Sequence, residues 1–341
     1  MIERRANIPD FALSVGGVDF TVKARPRLVS LSLTEKRGGE ADELELVLDD
    51  SDGRLALPPK DALITLRLGW LQGSDVTPGL VDKGKFTVDE LSWEGPPDVV
   101  TIRARSADLT AAFRQRQEKA HKETTLGALV GKIAAAHGYT PRCAPSLAGI
   151  AVPVIEQHRE SDMALLRRLG REHDAVATVK DRTLILAPIG AGTSGGGRAL
   201  PAVAFTRAAC GRYRYQEVDR SGEAGAEARY HDVDTGERGT ATAGGGGSSG
   251  KVGGAPRRMR KVHHSKAAAE AAAKAEAGRA KRAEAKMSLT LALGRADLYP
   301  ERPAKVSGFK PPADAKSWTV AQVTHRLGNG GYTCELELEG V

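Results

Sequence analysis

Two glycine-rich stretches have the spacing that phosphate chemistry uses. Gly245-Gly-Gly-Ser-Ser-Gly250-Lys251 fits a phosphate-cradling loop up to its last position, where Val252 replaces the hydroxyl that would hold magnesium. It lies in a run of glycines with no apolar strand before it, so it reads as a loop and not as a nucleotide site. Gly190-Ala-Gly192-Thr-Ser-Gly195 matches a dinucleotide fingerprint and does follow an apolar segment. The residues after it, Gly196 to Pro201, cannot readily open the helix whose N-terminus would bind a pyrophosphate. A flexible loop is the expectation here as well.

Side chains that ligate metals or transfer protons are scattered. His263 and His264 are adjacent, so on a strand they diverge, and His158 and His173 lack the i,i+4 spacing of a helical zinc site. His325 falls on a C-terminal strand, where packing or one hydrogen bond is role enough. Cys143, Cys210 and Cys334 are far apart and odd in number, with no C-x-x-C pair. No carboxylate pair stands out among 43 acids. The expectation is therefore no catalytic residue, no cofactor-binding residue, no metal ligand and no cofactor, with a carboxylate pair formed only in space left open.

Elements must then carry the function, and composition limits which. The chain has 341 residues, enough for two or three domains, with 40% hydrophobic and 27% charged residues. No apolar run approaches the roughly 18 residues of a membrane-spanning helix, so no membrane anchor is expected. The N-terminus carries charges with no apolar stretch behind them, which predicts no signal peptide and assembly in the cytoplasm of the producing cell. Net charge is +7, but the basic residues are interleaved with acids, and only 4% of residues are aromatic. The densest cluster is Arg257-Arg258-Met259-Arg260-Lys261. A solvated surface accounts for this better than nucleic-acid recognition, which would show a basic stripe and stacking platforms.

From about Val18 to Arg105 the apolar residues recur every second position, as in half-buried strands. Val29, Leu31 and Leu33 form one set, Leu44, Leu46 and Leu48 another, and Ile64, Leu66, Leu68 and Trp70 a third. Turn residues such as Asp49 to Gly53 and Gly95 to Asp98 separate them. The period changes after residue 106. Thr124 or Thr125 caps a helix near 124–137 that ends at His137-Gly138, and Ser161 or Asp162 caps another near 161–173. A hairpin follows at 175–188. Residues 191–341 return to strands, interrupted by a Gly-rich loop at 241–256 and an Ala-rich helix at 265–287, whose alanine face requires close approach by whatever packs on it.

An ungapped overlay places Trp318-Thr-Val320 on Phe86-Thr-Val88, Val323-Thr324 on Leu91-Ser92, and Tyr332-Thr-Cys334 on Val100-Thr-Ile102. In both copies the apolar phase slips between Val88 and Leu91, or Val320 and Val323, as a β-bulge would cause. The fold class expected is α+β, mainly β: two related antiparallel β-barrels, 1–105 and 191–341, with a small α+β insert at 106–190. Three chains with two equivalent units each can build a ring of six, which lets a three-fold object meet a six-fold one.

Three stretches carry a resemblance: Arg159-Glu-Ser-Asp-Met-Ala-Leu-Leu-Arg-Arg-Leu-Gly170 with the hairpin behind it, Gly225-Ala-Glu-Ala-Arg-Tyr-His-Asp-Val-Asp-Thr-Gly236, and Trp318-Thr-Val-Ala-Gln-Val-Thr-His325 with Gly330-Gly-Tyr-Thr333. Together they resemble the late control protein D family, tail hub proteins of contractile phages related to the hub part of type VI secretion spikes. The second of these looks like a barrel strand and turn of the family. The resemblance implies tail-tube-like barrels, a homotrimer, and a place at the baseplate of a virion or tailocin tail. Its implied partners are the central spike, the tail tube and baseplate proteins, with DNA or a tape-measure protein passing through the lumen without specific binding. It implies a structural role; the alternative is a tail-associated cell-wall hydrolase.

Overall fold

The computed structural model describes residues 4–38, 40–106, 111–180, 182–218, 223–232, 235–244 and 255–341. The fold is mainly β, with antiparallel sheets and, among the described residues, no closed barrel. Twelve strands dominate one large sheet: β1 (Ile8–Val15), β2 (Leu28–Lys36), β3 (Glu43–Asp49), β4 (Leu63–Gln72), β5 (Gly79–Glu94), β6 (Val99–Ser106), β7 (Val203–Thr206), β8 (Cys210–Glu217), β9 (Ala285–Leu291), β10 (Pro303–Ser307), β11 (Trp318–Gly328) and β12 (Gly331–Gly340). A two-residue strand, Val18–Asp19, completes the thirteen.

The strand order is the same in both halves of the chain. The first half reads β2-β3-β6-β5-β4-β1 and the second β8-β9-β12-β11-β10-β7. Local irregularities repeat with it. A 3-10 turn precedes β2 at Arg25–Arg27 and β8 at Arg207–Ala209. The pairing of β2 slips between Leu28 and Ser30, and that of β8 between Cys210 and Arg212. Bulges fall between Val88 and Glu90 in β5 and between Val320 and Gln322 in β11, where the alternation predicts them. Asp61 and Glu301, each just before β4 or β10, both have a positive φ, and their amides donate to Val88 O and Val320 O at 3.1 and 2.8 Å. One difference is that β1 runs antiparallel to β4 whereas β7 runs parallel to β10.

The overlay of the last strand needs correction. Phe86 pairs with Ser106 and Trp318 with Gly340, so Ile102 corresponds to Leu336 and Val100 to Cys334. The reason is a longer second hairpin, in which β11 and β12 continue pairing through Leu327–Tyr332 and Gly328–Gly331. Val29 is also displaced: the slip beside it leaves it 40% exposed, while Leu31 and Leu33 are buried.

The alternating apolar residues of both halves enter one continuous core that includes Leu33, Leu46, Leu66, Trp318, Val320 and Leu336. A second core belongs to residues 113–187. There α1 (Leu126–Ala136) and α2 (Asp162–Glu172) are capped by Thr125 and Ser161, whose hydroxyls accept from Ala128 N and Ala164 N, both at 3.2 Å. The hairpin pairs 175–180 with 183–188, and Thr140–Cys143 adds to it in parallel; Asp181 in its turn lies outside the described residues. Strands 116–125 and 151–161 form a ribbon that alternation did not reveal, because few of its residues, among them His121, Val152 and Gln157, are buried.

The stretch from Gly225 is not a strand of the main sheet. It lies in Glu223–His231, the middle of a separate sheet with 238–243 and 255–263, inserted between β8 and β9. That small sheet packs on α3 (Lys266–Glu284): Ala228, Tyr230 and Ala241 meet Ala269 and Ala273, the close approach that an alanine face requires. Residues 285–287, expected in the helix, begin β9, because Ala285, Met287, Leu289 and Leu291 alternate into the main core. The Gly-rich loop is strand to Ala243 and again from Ala255; residues 245–254, with the phosphate-loop match, lie outside the described residues.

Candidate functional site

The second glycine motif forms turns, not a dinucleotide site. Gly190 and Gly192 have positive φ, Thr193 bridges to Ala199, and no helix follows. The same loop holds Gly192-Thr-Ser194-Gly-Gly196, the letters of a nucleophile elbow, but Ser194 Oγ accepts from Arg198 N at 3.2 Å and the strand-turn-helix context is missing. The loop is tied down: Gly190 N donates to Glu301 at 2.9 Å, and a Cβ on Gly195 would meet Ile185. Among the described residues no three His, Cys, Asp or Glu side chains are grouped to hold a metal. His158 is exposed near Glu118, His173 caps α2, and His263 is buried at a strand end beside an exposed His264.

What the structure does bring together is a seam between the two halves. Ser30–Lys36 of β2 pairs antiparallel with Gln322–Gly328 of β11, which makes one sheet of both halves. At this seam the buried face carries charge. Glu35 Oε2 accepts from Lys83 Nζ at 2.6 Å and from His325 Nε2 at 2.9 Å, and Tyr332 Oη donates to His325 Nδ1 at 2.8 Å. The Glu35 carboxylate can only accept, so a proton sits on Nε2, and the burial that disfavours the charged ring leaves Nδ1 to accept, with Cys334 Sγ 3.1 Å from it as well. Lys83 also donates to Leu298 O, and Trp70 Nε1 to Gly294 O at 2.9 Å, so the first half grips the loop after β9.

Burial alone would push Glu35 upward, but the His325 hydrogen bond and the Lys83 ammonium outweigh it and hold Glu35 at about 2. Burial, reinforced by Lys83, lowers His325 below its ordinary 6.5. Burial also lowers His173 and His263. A group depressed in the folded state stabilises the fold above its unfolded value and loses that contribution on acidification. Folding stability is therefore expected to fall as pH drops below about 6.5, through the histidines, and further below about 4.5, through Glu35. Denaturation midpoints from pH 8 down to about pH 2 measure this; a flat or rising profile on acidification contradicts it.

Beside the seam lies a cleft of about 550 Å³ where the insert meets both halves, lined in part by Lys85, Val176, Thr178, Ile185 and Tyr299. Its carboxylates are engaged. Asp42 takes Lys180 Nζ at 2.7 Å, and Arg37 bonds Glu339 at 2.6 Å while lying against Glu301 without hydrogen-bond alignment. Burial pushes Glu301 upward despite Arg37. A further pair, Arg282 with Asp174, joins α3 to the chain two residues past α2 at 2.7 Å. Carboxylates held by cations in this way join elements together. Of the seam residues, the sequence pointed to His325 alone; Glu35 had a signal, since it continues the inward phase of Leu31 and Leu33 with a charge.

Residues 43–331 match the family model described as phage tail baseplate hub (GPD). Over 365 aligned residues the chain is 37% identical to the probable baseplate hub protein of Escherichia phage 186, covering 97% of this chain and 92% of that one. Among solved structures, the 43 kDa tail protein of prophage MuSo2 from Shewanella oneidensis superposes with a TM-score of 0.66 at 13% identity, covering 96% of each chain. A component of the E. coli type VI secretion system, itself structurally similar to T4 bacteriophage tail proteins gp27 and gp5, gives 0.54 at 13% identity, covering 96% of this chain and 76% of that one. At such identities the two structures speak to the fold alone.

Proposed function

The chain belongs to the phage tail baseplate hub family, and from that premise we propose that it joins a hexameric tail tube to a trimeric central spike. It is a structural protein of the tail baseplate, not an enzyme. The observation that carries the adaptor reading is the doubled strand order, with the two six-strand units joined by one seam. Each unit, within 1–105 and 191–341, is a tube-like barrel segment, and the insert at 106–190 braces them from the side. Three chains then present six like units to the tube and a three-fold axis to the spike. The lumen of that ring passes DNA or a tape-measure protein without recognising it.

Mass in solution tests this, by light scattering at several concentrations with and without co-expressed spike protein. Three chains, alone or with spike, is the expected result. A monomer that ignores the spike overturns the adaptor geometry, and release of soluble peptidoglycan fragments by the purified protein would overturn the non-enzymatic reading in favour of the hydrolase.

A further inference from the structure

The small sheet and α3, inserted between β8 and β9, form a unit with a core of its own, Ala228, Tyr230 and Ala241 on Ala269 and Ala273. Its two roots are pinned together: Val218 N donates to Glu284 O at 2.8 Å, and β9 begins at the next residue. Near that root α3 is fastened to the end of α2. Arg282 bonds Asp174, Arg279 donates to Arg171 O, and a Cβ on Gly278 would stand 2.9 Å from Asp174 Oδ2, so the glycine lets the helix come close. The first turn of α3 lies about 20 Å farther out, at about 1.5 Å per residue.

Over that outer half the contact is hollow. A cavity of about 320 Å³ separates the unit from the insert, with Val152, Val154 and Leu169 on one wall and Ala268 and Ala272 on the other. His173 of the insert and His263 of the unit both line it. His263 is 6% exposed, and its Nε2 has no hydrogen-bond partner among the described residues. The ion pair of Lys261 with Glu172 crosses beside them.

We propose that this cavity is an acid-opened joint: protonation of His173 and His263 separates the small sheet and the outer half of α3 from the insert, about a pivot at Gly278, while the main sheet stays folded. An imidazolium donates from both ring nitrogens and needs two acceptors. The facing groups do not supply them. Glu172 on α2 already holds Lys261, and Lys261 repels a charged ring, as does His264 once protonated. Arg168 is engaged by Glu160 at 2.9 Å, Glu156 is exposed, and α3 presents alanines to the cavity. Water supplies acceptors once the walls part, so charge on the rings favours the open form. Burial holds both histidines below the ordinary 6.5; Glu172 pulls His173 back up, and Lys261 pushes His263 further down. The closed form is therefore favoured above about 6.5 and loses that advantage as pH falls below it.

The test uses the full chain with Cys143→Ser and Cys210→Ser, leaving Cys334 in the main core as a sensor of unfolding. It adds Ala272→Cys on the cavity wall, where the hollow leaves room for sulfur. Reaction of that thiol with a soluble aromatic disulfide is measured relative to an exposed one, Lys266→Cys in the same background. The relative rate is expected to rise about tenfold or more from about pH 7.5 to about pH 5.5, with Cys334 unreactive. With His173→Gln and His263→Gln, which stay neutral, the rise is expected to vanish. An unchanged rate, a rise that survives both glutamines, or a rise shared by Cys334 overturns the joint. Because the glutamines can themselves loosen the cavity, exchange of the imidazole C2 hydrogens in the unaltered chain gives a second reading. Midpoints below 6.5 for His173 and His263 are expected, and values at or above 6.5 overturn the joint.

Discussion

Glu35→Ala is expected to remove about 3–5 kcal/mol of folding stability, measured as a lower midpoint in urea. The substitution leaves the Lys83 ammonium, whose side chain is 4% exposed, with only the Leu298 carbonyl, and it takes the acceptor from His325 Nε2, which is fully buried. An uncompensated buried charge costs far more than the intact group contributes. The same reasoning distinguishes the carboxylate from its volume: Glu35→Leu with Lys83→Met is expected to recover most of the loss, since it removes both charges together. If Glu35→Ala proves neutral while the fold is intact, the seam is held by packing alone. The effect also reaches beyond one residue, because Glu35, Lys83, His325 and Tyr332 sit on four strands from both halves.

Trp318→Ala is expected to cost a similar about 3–5 kcal/mol, for a different reason. Trp318 is 1% exposed in the shared core, and its Nε1 donates to Ala313 O at 3.0 Å. Truncation leaves a cavity and takes one donor from the Ala313 carbonyl, which keeps the bond from Lys316 N at 3.3 Å. Phe86 occupies the equivalent place in the first half and is equally buried, so Trp318→Phe is expected to be the milder change. The Trp318 ring also meets Tyr215 edge-on at 6.1 Å. Tyr215 lies on β8, so the alanine variant is expected to loosen the edge strand as well, read as faster amide exchange across Arg212–Gln216.

Much of this fold is legible in the sequence. Alternation finds Leu44, Leu46 and Leu48, and Ile64 through Trp70, because a two-residue period places a face in or out of the core wherever one side is wet. Helix caps at Thr125 and Ser161 are visible because they satisfy backbone groups a few residues away. Even the bulges leave a local trace, since an extra residue shifts the apolar phase. The two-residue error at the last strand was invisible for the same reason: a shift of two keeps every side chain on its face.

The candidate site was far less legible. Thr34 and Thr324 meet across 290 residues, and nothing in the period of either strand names its partner. Glu35 in an inward phase signals a buried charge, but Lys83 and His325 become its partners only when β5 and β11 are brought beside β2. Glu223–His231 reads as one more alternating strand, yet it joins a different sheet, because the alanine face of α3 supplies a second surface to bury against. By itself the sequence determined most of the residues that turn inward, the alternating strands of the main sheet, the two capped helices, and that the chain contains a doubled pattern. Only the tertiary structure decided which edges are covered and which stay open, because burial depends on local period whereas edge pairing depends on what distant strand arrives to satisfy the backbone.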